Sequence, residues 1–509
     1  MDTVDQELSA VSGLEPHQQL LESFSLEFTP DGGHVRWSAS NHRHPRNWST
    51  IRKSFDISIV IFLDLYTTAV STAGSSAATI AEKEWDISHT LAIFIFVSLY
   101  LLGQGIGGVL FPPYSETFGR KKLYIVSTAL YSIFCVVVGV VPSMAGVIVG
   151  RFTTGFLSAI PTTVVVGSIE DMFNSKGRIW LIFLWAIVSN LGLIIGPIMG
   201  TYITLTLGWR WVFYIAAIVN GVITLLLFSI RESRPSLLLV REVAKLRKIT
   251  GIETLQALNP DHTPSLHMFA RLALFRPLRL LVTEPIVFLV SIMSAVAFAL
   301  IYLFTEALPP IYESFGFSSS SASLPFLAIG VGLLAGIPTR MLDNWVLARH
   351  KRKGHPFAPE YKLIGFIIGA PVLAGGLWCF AWTIPPRIPS VHWLVSTVAL
   401  GFIGYALNEF DTVLAGYLAD SYLSYAASGF AALALVRSTM SALFPLFGVR
   451  MFEALDANIA VSVLAALATV FCLVPRLFTK HGPQIRARSK FARYSLQVHR
   501  ENGVDSEGY

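Results

Sequence analysis

Twelve apolar stretches, each about long enough to cross a bilayer, fall six on either side of one basic interval, Arg231 to Thr283. A helix that is apolar on every face needs apolar surroundings, and a soluble domain cannot bury twelve of them. The chain is therefore expected to be an all-α membrane protein. Twelve transmembrane helices should form two six-helix halves, with function to be sought along the path between them. Composition agrees: 53% of the 509 residues are apolar and only 14% charged, well below the usual charged share of a soluble domain.

The formal charge of +6 is a matter of placement. Nearly every Lys and Arg falls in segments that would lie on one side. Arg36 to Lys53 precede the first span, Arg120 to Lys122 follow the second, and Lys176 and Arg178 follow the fourth. Arg231 to Arg279 fill the central interval, Arg340 to Lys362 follow the eighth span, and Arg476 to Arg500 end the chain. By the positive-inside rule both termini and the central interval are cytoplasmic, and the basic excess is a topology signal rather than a nucleic-acid footprint.

The resulting plan has five parts. Residues 1–52 make a cytoplasmic, largely disordered tail. Residues 53–230 form the first six-helix bundle and 231–283 a cytoplasmic loop. Residues 284–478 form the second bundle, and 479–509 a cytoplasmic tail. Within the loop, Leu237 to Lys248 alternates apolar and basic residues at helical spacing. That pattern predicts an amphipathic helix on the membrane surface, its basic face toward anionic lipid. The first thirty residues hold Asp2, Asp5, Glu7, Glu15, Glu22 and Glu27 but no Lys or Arg, the opposite of a signal peptide's start. The first span is then expected to act as the insertion signal.

Charges inside a bilayer are costly and mark function by default. In the first span Asp64, Thr68, Ser71 and Ser75 follow a helical repeat and share one face. Arg151, Gly155, Ser158 and Thr162 repeat that stripe in the fourth span. The tenth offers Gly404, Asn408 and Asp411 on one face with Glu409 beside them, and Glu306 lies toward the outer end of the seventh. These residues are candidates to line a cavity, with Asp64 or Glu306 binding a proton that exchanges with cargo. The competing reading is a structural ion pair, for instance Asp64 with Arg151.

Three local motifs narrow the class. Between the second and third spans the chain reads Pro112-Pro113-Tyr114-Ser115-Glu116-Thr117-Phe118-Gly119-Arg120-Lys121-Lys122. This is a tight basic turn whose Glu116 can pair with the cations. Arg151 and Gly155 stand in the fourth span. In the fifth, Gly192, Gly196, Pro197 and Gly200 make a smooth stripe that lets another helix approach closely.

Together these segments resemble the major facilitator superfamily, and within it the fungal drug:proton antiporter group with twelve spans. The resemblance also takes in Asn41 to Ser49, Arg234 to Leu239, Arg276 to Pro285 and Asp420 to Ser428, and runs from about residue 41 to 490. Departures are Pro112 where the loop motif has glycine, Tyr114 where it has leucine and Thr117 where it has arginine. The resemblance implies two pseudo-symmetric bundles that rock about a central cavity. It also implies a gating role for Glu116, Gly119, Arg120 and Lys121, and antiport through the Gly196-Pro197 stripe.

Other classes fit less well. No G-x-x-x-x-G-K-[ST] is present to cradle ATP. A membrane enzyme would want clustered histidines, but the twelve here are scattered through tails and loops. Cys135, Cys379 and Cys472 show no paired spacing, so neither disulfides, a metal nor a cofactor is expected. A sensor that keeps the transporter shape without flux stays open. Aromatic residues, at 12%, suit flat amphipathic cargo better than sugars. A polyamine would instead use several carboxylates, which Asp64, Glu306, Glu409 and Asp411 would supply. The sequence thus points to a monomeric, proton-coupled exporter of small organic compounds at a plasma membrane.

Overall fold

The computed structural model describes residues 21, 24–29, 34–38, 40–252, 255–258, 275–353, 359–386, 391–422 and 425–493. Among them, twelve helices are long and apolar enough to cross a membrane. The first half comprises α1 (Thr50–Trp85), α2 (His89–Phe118), α3 (Lys121–Val140), α4 (Met144–Met172), α5 (Ser175–Leu207) and α6 (Arg210–Leu227). Helix α7 (Pro235–Thr250) and the short α8 (Arg276–Thr283) follow.

The second half begins with α9 (Pro285–Ser314). Its next span is α10 (Phe326–Leu334) and α11 (Gly336–Arg352) in series. Then come α12 (Ile364–Thr383) and α13 (Trp393–Tyr422). Helix α14 (Ala426–Phe471) carries the eleventh span and most of the twelfth, kinked at Asp456 (φ 63°, ψ 153°). Helix α15 (Val474–Arg488) prolongs the twelfth past the expected end at residue 478. It stays ordered there because Phe478 stacks on Tyr417 and Arg486 pairs with Glu360 at 2.8 Å.

Close backbone approach sets the packing inside each half. The glycine stripe of α5 lies on α1. A Cβ at Gly196 would overlap the Ala69 carbonyl and Thr72 Oγ1, and one at Gly200 would lie 3.0 Å from Ala73 Cα. With no large hydrophobic gain available between helices in lipid, such contacts are held by dispersion and polar bonds across the seam.

Across the halves, α1 meets α9 and α2 meets α14. Ser71 Oγ is 2.8 Å from the Tyr302 hydroxyl, Ser75 Oγ donates to the Thr305 carbonyl at 3.2 Å, and Ser98 Oγ donates to the Ala442 carbonyl at 2.7 Å.

The described parts of the tail and the central loop pack together, and the loop contains the helix expected over Leu237 to Lys248. Residues 1–20 and 259–274 lie outside the described set, as does the tail beyond residue 493. Within 1–52 the described residues include a short hairpin. Strands β1 (Leu26–Phe28) and β2 (Val35–Trp37) pair antiparallel, and Val35 bridges to Ala257. The apolar face of α7, with Leu239, Val243 and Leu246, packs on Leu21, Leu26, Val35 and Leu255. Helix α7 therefore spends its apolar side on the chain's own hairpin rather than on lipid. Trp37 Nε1 donates to the Pro235 carbonyl at 3.1 Å, and Arg43 pairs with Glu242.

His44 closes this module. Its Nδ1 accepts from the Arg46 N–H at 3.1 Å and its ring meets Trp37 edge-on. Burial, then the charges of Arg46 and Lys53, pushes its pKa down to about 4. A histidine held neutral in the fold stabilises it fully above its unfolded value near 6.5, and that contribution fades as pH falls toward 4. Amide exchange of residues 34–48, corrected for its intrinsic pH dependence, is expected to be faster at pH 5 than at pH 7. His44→Gln should remove most of that difference.

Candidate functional site

A cavity of about 40 Å³ lies between the halves. Its walls include Thr68 of α1, Gln104 of α2, Thr162 of α4, Asn190 of α5, Tyr302 of α9 and Asp411 of α13. Arg437 of α14 faces them. The volume holds roughly two or three waters, whereas a drug-sized ligand needs ~300–1,000 Å³. A drug-sized cargo does not fit the cavity at this volume.

The charges of the cavity come from Asp411 and Arg437. Arg437 Nη1 stands 3.4 Å from Asp411 Oδ1, its guanidinium lies 4.3 Å from the Phe298 ring centroid, and Asn190 Nδ2 reaches Asp411 Oδ2 at 3.5 Å. The pair thus belongs to the second half and its amide partner to the first. Arg437 was legible as an arginine inside a span, by the same rule that marks Arg151, yet the sequence reading assigned it no role. Asn190 and Gln104 were also missed. Single amides carry no spacing signal.

Asp64 sits one layer behind this pair and is fully buried. Its Oδ1 accepts from Thr162 Oγ1 and its Oδ2 from Trp185 Nε1, both at 2.8 Å. It therefore ties α1 to α4 and α5, and reaches the cavity through Thr162 and Trp185. Along the α1 stripe, Thr68 lines the cavity, while Ser71 and Ser75 lace α1 to α9. Ser158, buried, donates back to its own helix at Gly155.

Arg151, Glu306, Asn408 and Glu409, also expected at the cavity, stand farther from it. Arg151 makes no ion pair with Asp64. It is fully buried, donates to the Phe96 carbonyl and packs over Tyr100 and Phe213 at 4.5 and 5.2 Å. Phe96 lies in a π-helical turn, Phe94–Ser98. Such a turn shifts the hydrogen-bond ladder and leaves carbonyls open to side chains. Arg151 braces α4 against α2.

Glu306 lies outside the cavity, 3.4 Å from His89 Nε2, while His89 Nδ1 meets Glu82. Asn408 and Glu409 turn away from Asp411 toward α11 and α12, where Gly336 and Gly365 make room for them.

The basic turn after α2 is a brace within the first half. Gly119 takes φ +95°, a left-handed conformation that glycine tolerates at no steric cost. A Cβ there would meet Glu232 Oε2 at 2.7 Å. Arg120, 4% exposed, donates to Asp171 at 2.6 Å and to the Val164 carbonyl at 3.0 Å. Glu232 accepts the backbone N–H groups of Arg120 and Lys121, and Arg234 reaches Asp171 at 3.2 Å. Lys121 Nζ donates to the Phe228 carbonyl at 2.9 Å. Glu116 stands in the last turn of α2. The charge that holds Arg120 comes from α4 and from the chain after α6, which sequence spacing could not reveal. At other helix ends Asp56 pairs with Arg52, Glu170 with Arg178 and Asp420 with Lys362.

Two six-helix halves joined by a loop, with charged groups converging on the seam, define a secondary transporter. The Major Facilitator Superfamily model matches residues 57–445, and the chain belongs to that superfamily. It is 32% identical over 484 residues to the multidrug transporter TPO1_2 of Candida glabrata, covering 94% of this chain and 81% of that one. Identity is also 32% over 478 residues to the MFS-type transporter penM of Penicillium rubens, covering 91% and 92%. The efflux pump radE of Floropilus chiversii is 30% identical over 455 residues, covering 88% and 84%. Among solved structures, a D-xylose-proton symporter superposes with a TM-score of 0.59 at 16% identity. It covers 84% of this chain and 97% of the other, a likeness of fold.

Proposed function

We propose that the chain exports small amphipathic organic compounds in exchange for protons, by alternating access. It works as a monomer in a fungal plasma membrane with both termini cytoplasmic. The observation that carries this reading is the Asp411–Arg437 pair, set on the seam and contacted by Asn190 from the opposite half. Parting the halves must break the Asn190 contact and open the aromatic walls of Trp185, Phe298 and Tyr302 to cargo. The names of the similar fungal transporters support efflux as the direction and drugs or metabolites as the cargo. Two carboxylates, Asp64 and Asp411, stand against one guanidinium here, which favours neutral or singly cationic cargo. A polyamine is less well served, because Glu306 and Glu409 face elsewhere.

Proton entry down roughly 100 mV yields about 2.3 kcal/mol and two pH units about 2.7. Together they sustain a gradient of over about a thousandfold for neutral cargo. Proteoliposomes holding the full chain and rhodamine 6G are expected to extrude the dye when a proton gradient is imposed. A protonophore should slow extrusion to the rate seen with the protein present but no proton gradient imposed. Extrusion that ignores the protonophore would remove antiport.

A further inference from the structure

Glu409 is the most exposed problem in the electrostatics of this protein, and it lies apart from the cavity. It is 0% solvent-exposed, near the middle of α13, and among the described residues neither carboxylate oxygen has a hydrogen-bond donor. The nearest cation, Arg340 of α11, holds Nη2 at 3.8 Å from Oε2, beyond hydrogen-bond length. Arg340 is committed elsewhere: Nη1 donates to Asp343 Oδ2 at 3.1 Å and Nη2 to Thr412 Oγ1 at 2.8 Å. Asp343 is itself only 3% exposed. Two buried carboxylates therefore share one guanidinium.

The space around Glu409 is built for it. Gly336 of α11 and Gly365 and Gly369 of α12 surround the carboxyl group. A Cβ at Gly336 would lie 2.9 Å from Oε1, and one at Gly365 would collide with Oε2. An independent feature points into the same space. Asn408 is 0% exposed, and among the described residues both its Oδ1 and Nδ2 lack partners. Its Nδ2 converges on Gly336 beside Glu409 Oε1. The other titratable groups nearby are engaged: Lys362 with Asp420 at 2.7 Å, and the Tyr405 hydroxyl with Thr339 at 2.9 Å.

We propose that Glu409, Asp343 and Arg340 form a proton-carrying site inside the second half, separate from the cargo cavity. The inference rests on the proton-driven reading above and assigns the coupling ion its own place. With one proton aboard, the trio is neutral. With none it carries a net negative charge in hydrocarbon, which is costly. A proton from water forms an O–H bond on one carboxylate and leaves again to water, and no other bond changes. Arg340 turns toward whichever carboxylate is ionised.

That motion has a route to the cavity. The Arg340 guanidinium lies 5.3 Å from the ring centroid of Phe183, in α5 of the opposite half. Helix α5 also carries Trp185, which holds Asp64, and Asn190, which meets Asp411.

Two measurements on the full chain test this. Infrared spectra in lipid nanodiscs, titrated with pH, are expected to contain a protonated-carboxyl band that Glu409→Gln removes and Asp343→Asn shifts. A spectrum unchanged in both variants would overturn the site. So would a band in wild type displaced by sodium at fixed pH, which would make it a sodium site. In proteoliposomes with rhodamine 6G, a singly cationic dye whose one-for-one exchange for a proton is driven by the pH difference alone, Glu409→Gln should drop gradient-driven accumulation from as much as about a hundredfold to about one. Equilibrium exchange of the dye should persist within about twofold, because the cargo cavity is untouched. Loss of both modes to the same extent would refute the separation of the two sites. If wild type itself ignores the gradient, the proton-driven reading fails, and the infrared titration still decides whether Glu409 carries a proton.

Discussion

Replacing Arg437 by alanine is expected to abolish gradient-driven transport while leaving a folded protein in the membrane. Among the described residues Arg437 supplies the positive charge facing Asp411, and their side chains are only 18% and 15% exposed. Removing one partner of a buried pair costs ~3–5 kcal/mol, because the other is left as an uncompensated charge. Partial exposure puts this pair toward the low end. A rise of ~3 kcal/mol in the transport barrier corresponds to about a hundredfold loss of rate. Arg437→Lys restores the charge but not the flat guanidinium over Phe298, so it should recover only part of the rate. Asp411→Asn should fail as Arg437→Ala does, for the reciprocal reason. Dye efflux normalised to protein in the vesicle checks all three. Wild-type rates in Arg437→Ala would place the cargo path elsewhere.

The second large effect is expected at Gly196, and it is on folding. A side chain there must displace the Ala69 carbonyl and Thr72 Oγ1 of α1, neither of which can swing away. Overpacking of a tight site costs ~1–3 kcal/mol and more where backbone must move. Gly196→Val should therefore force α1 from α5 along the whole stripe from Gly192 to Gly200. The expected result is little or no monodisperse protein after detergent extraction and a large fall in thermal midpoint. Gly375 in α12 is the control, since a Cβ there meets nothing within 4 Å. Gly375→Val should extract as wild type does. Equal behaviour of the two variants would show that the stripe is not a packing surface.

These two sites differ in how far sequence could foresee them. The stripe was readable, because glycines four residues apart fall on one helix face whatever lies opposite. The cavity was only half readable. Asn408 and Asp411 are three residues apart and were expected to share a face, yet Asn408 converges on Gly336 while Asp411 meets Arg437. Three residues leave an angular gap of about 60° around a helix. In a crowded bundle that gap spans the border between two neighbouring helices. Arg151 shows the same limit from another side. Its burial was foreseen, but its partner is a carbonyl freed by a π turn, which no residue pattern announces.

The sequence by itself determined how many helices cross the membrane, because length and apolarity answer to the bilayer alone. It also marked the intramembrane charges, which hydrocarbon penalises wherever they point. Tertiary structure decided which of those charges meet. It put Asp411 with Arg437 on the seam, Arg151 on a backbone carbonyl, and Glu409 in a glycine-lined space of its own. Helical periodicity fixes a residue's angle on its own axis. Only the packing of all the axes together fixes what that angle faces.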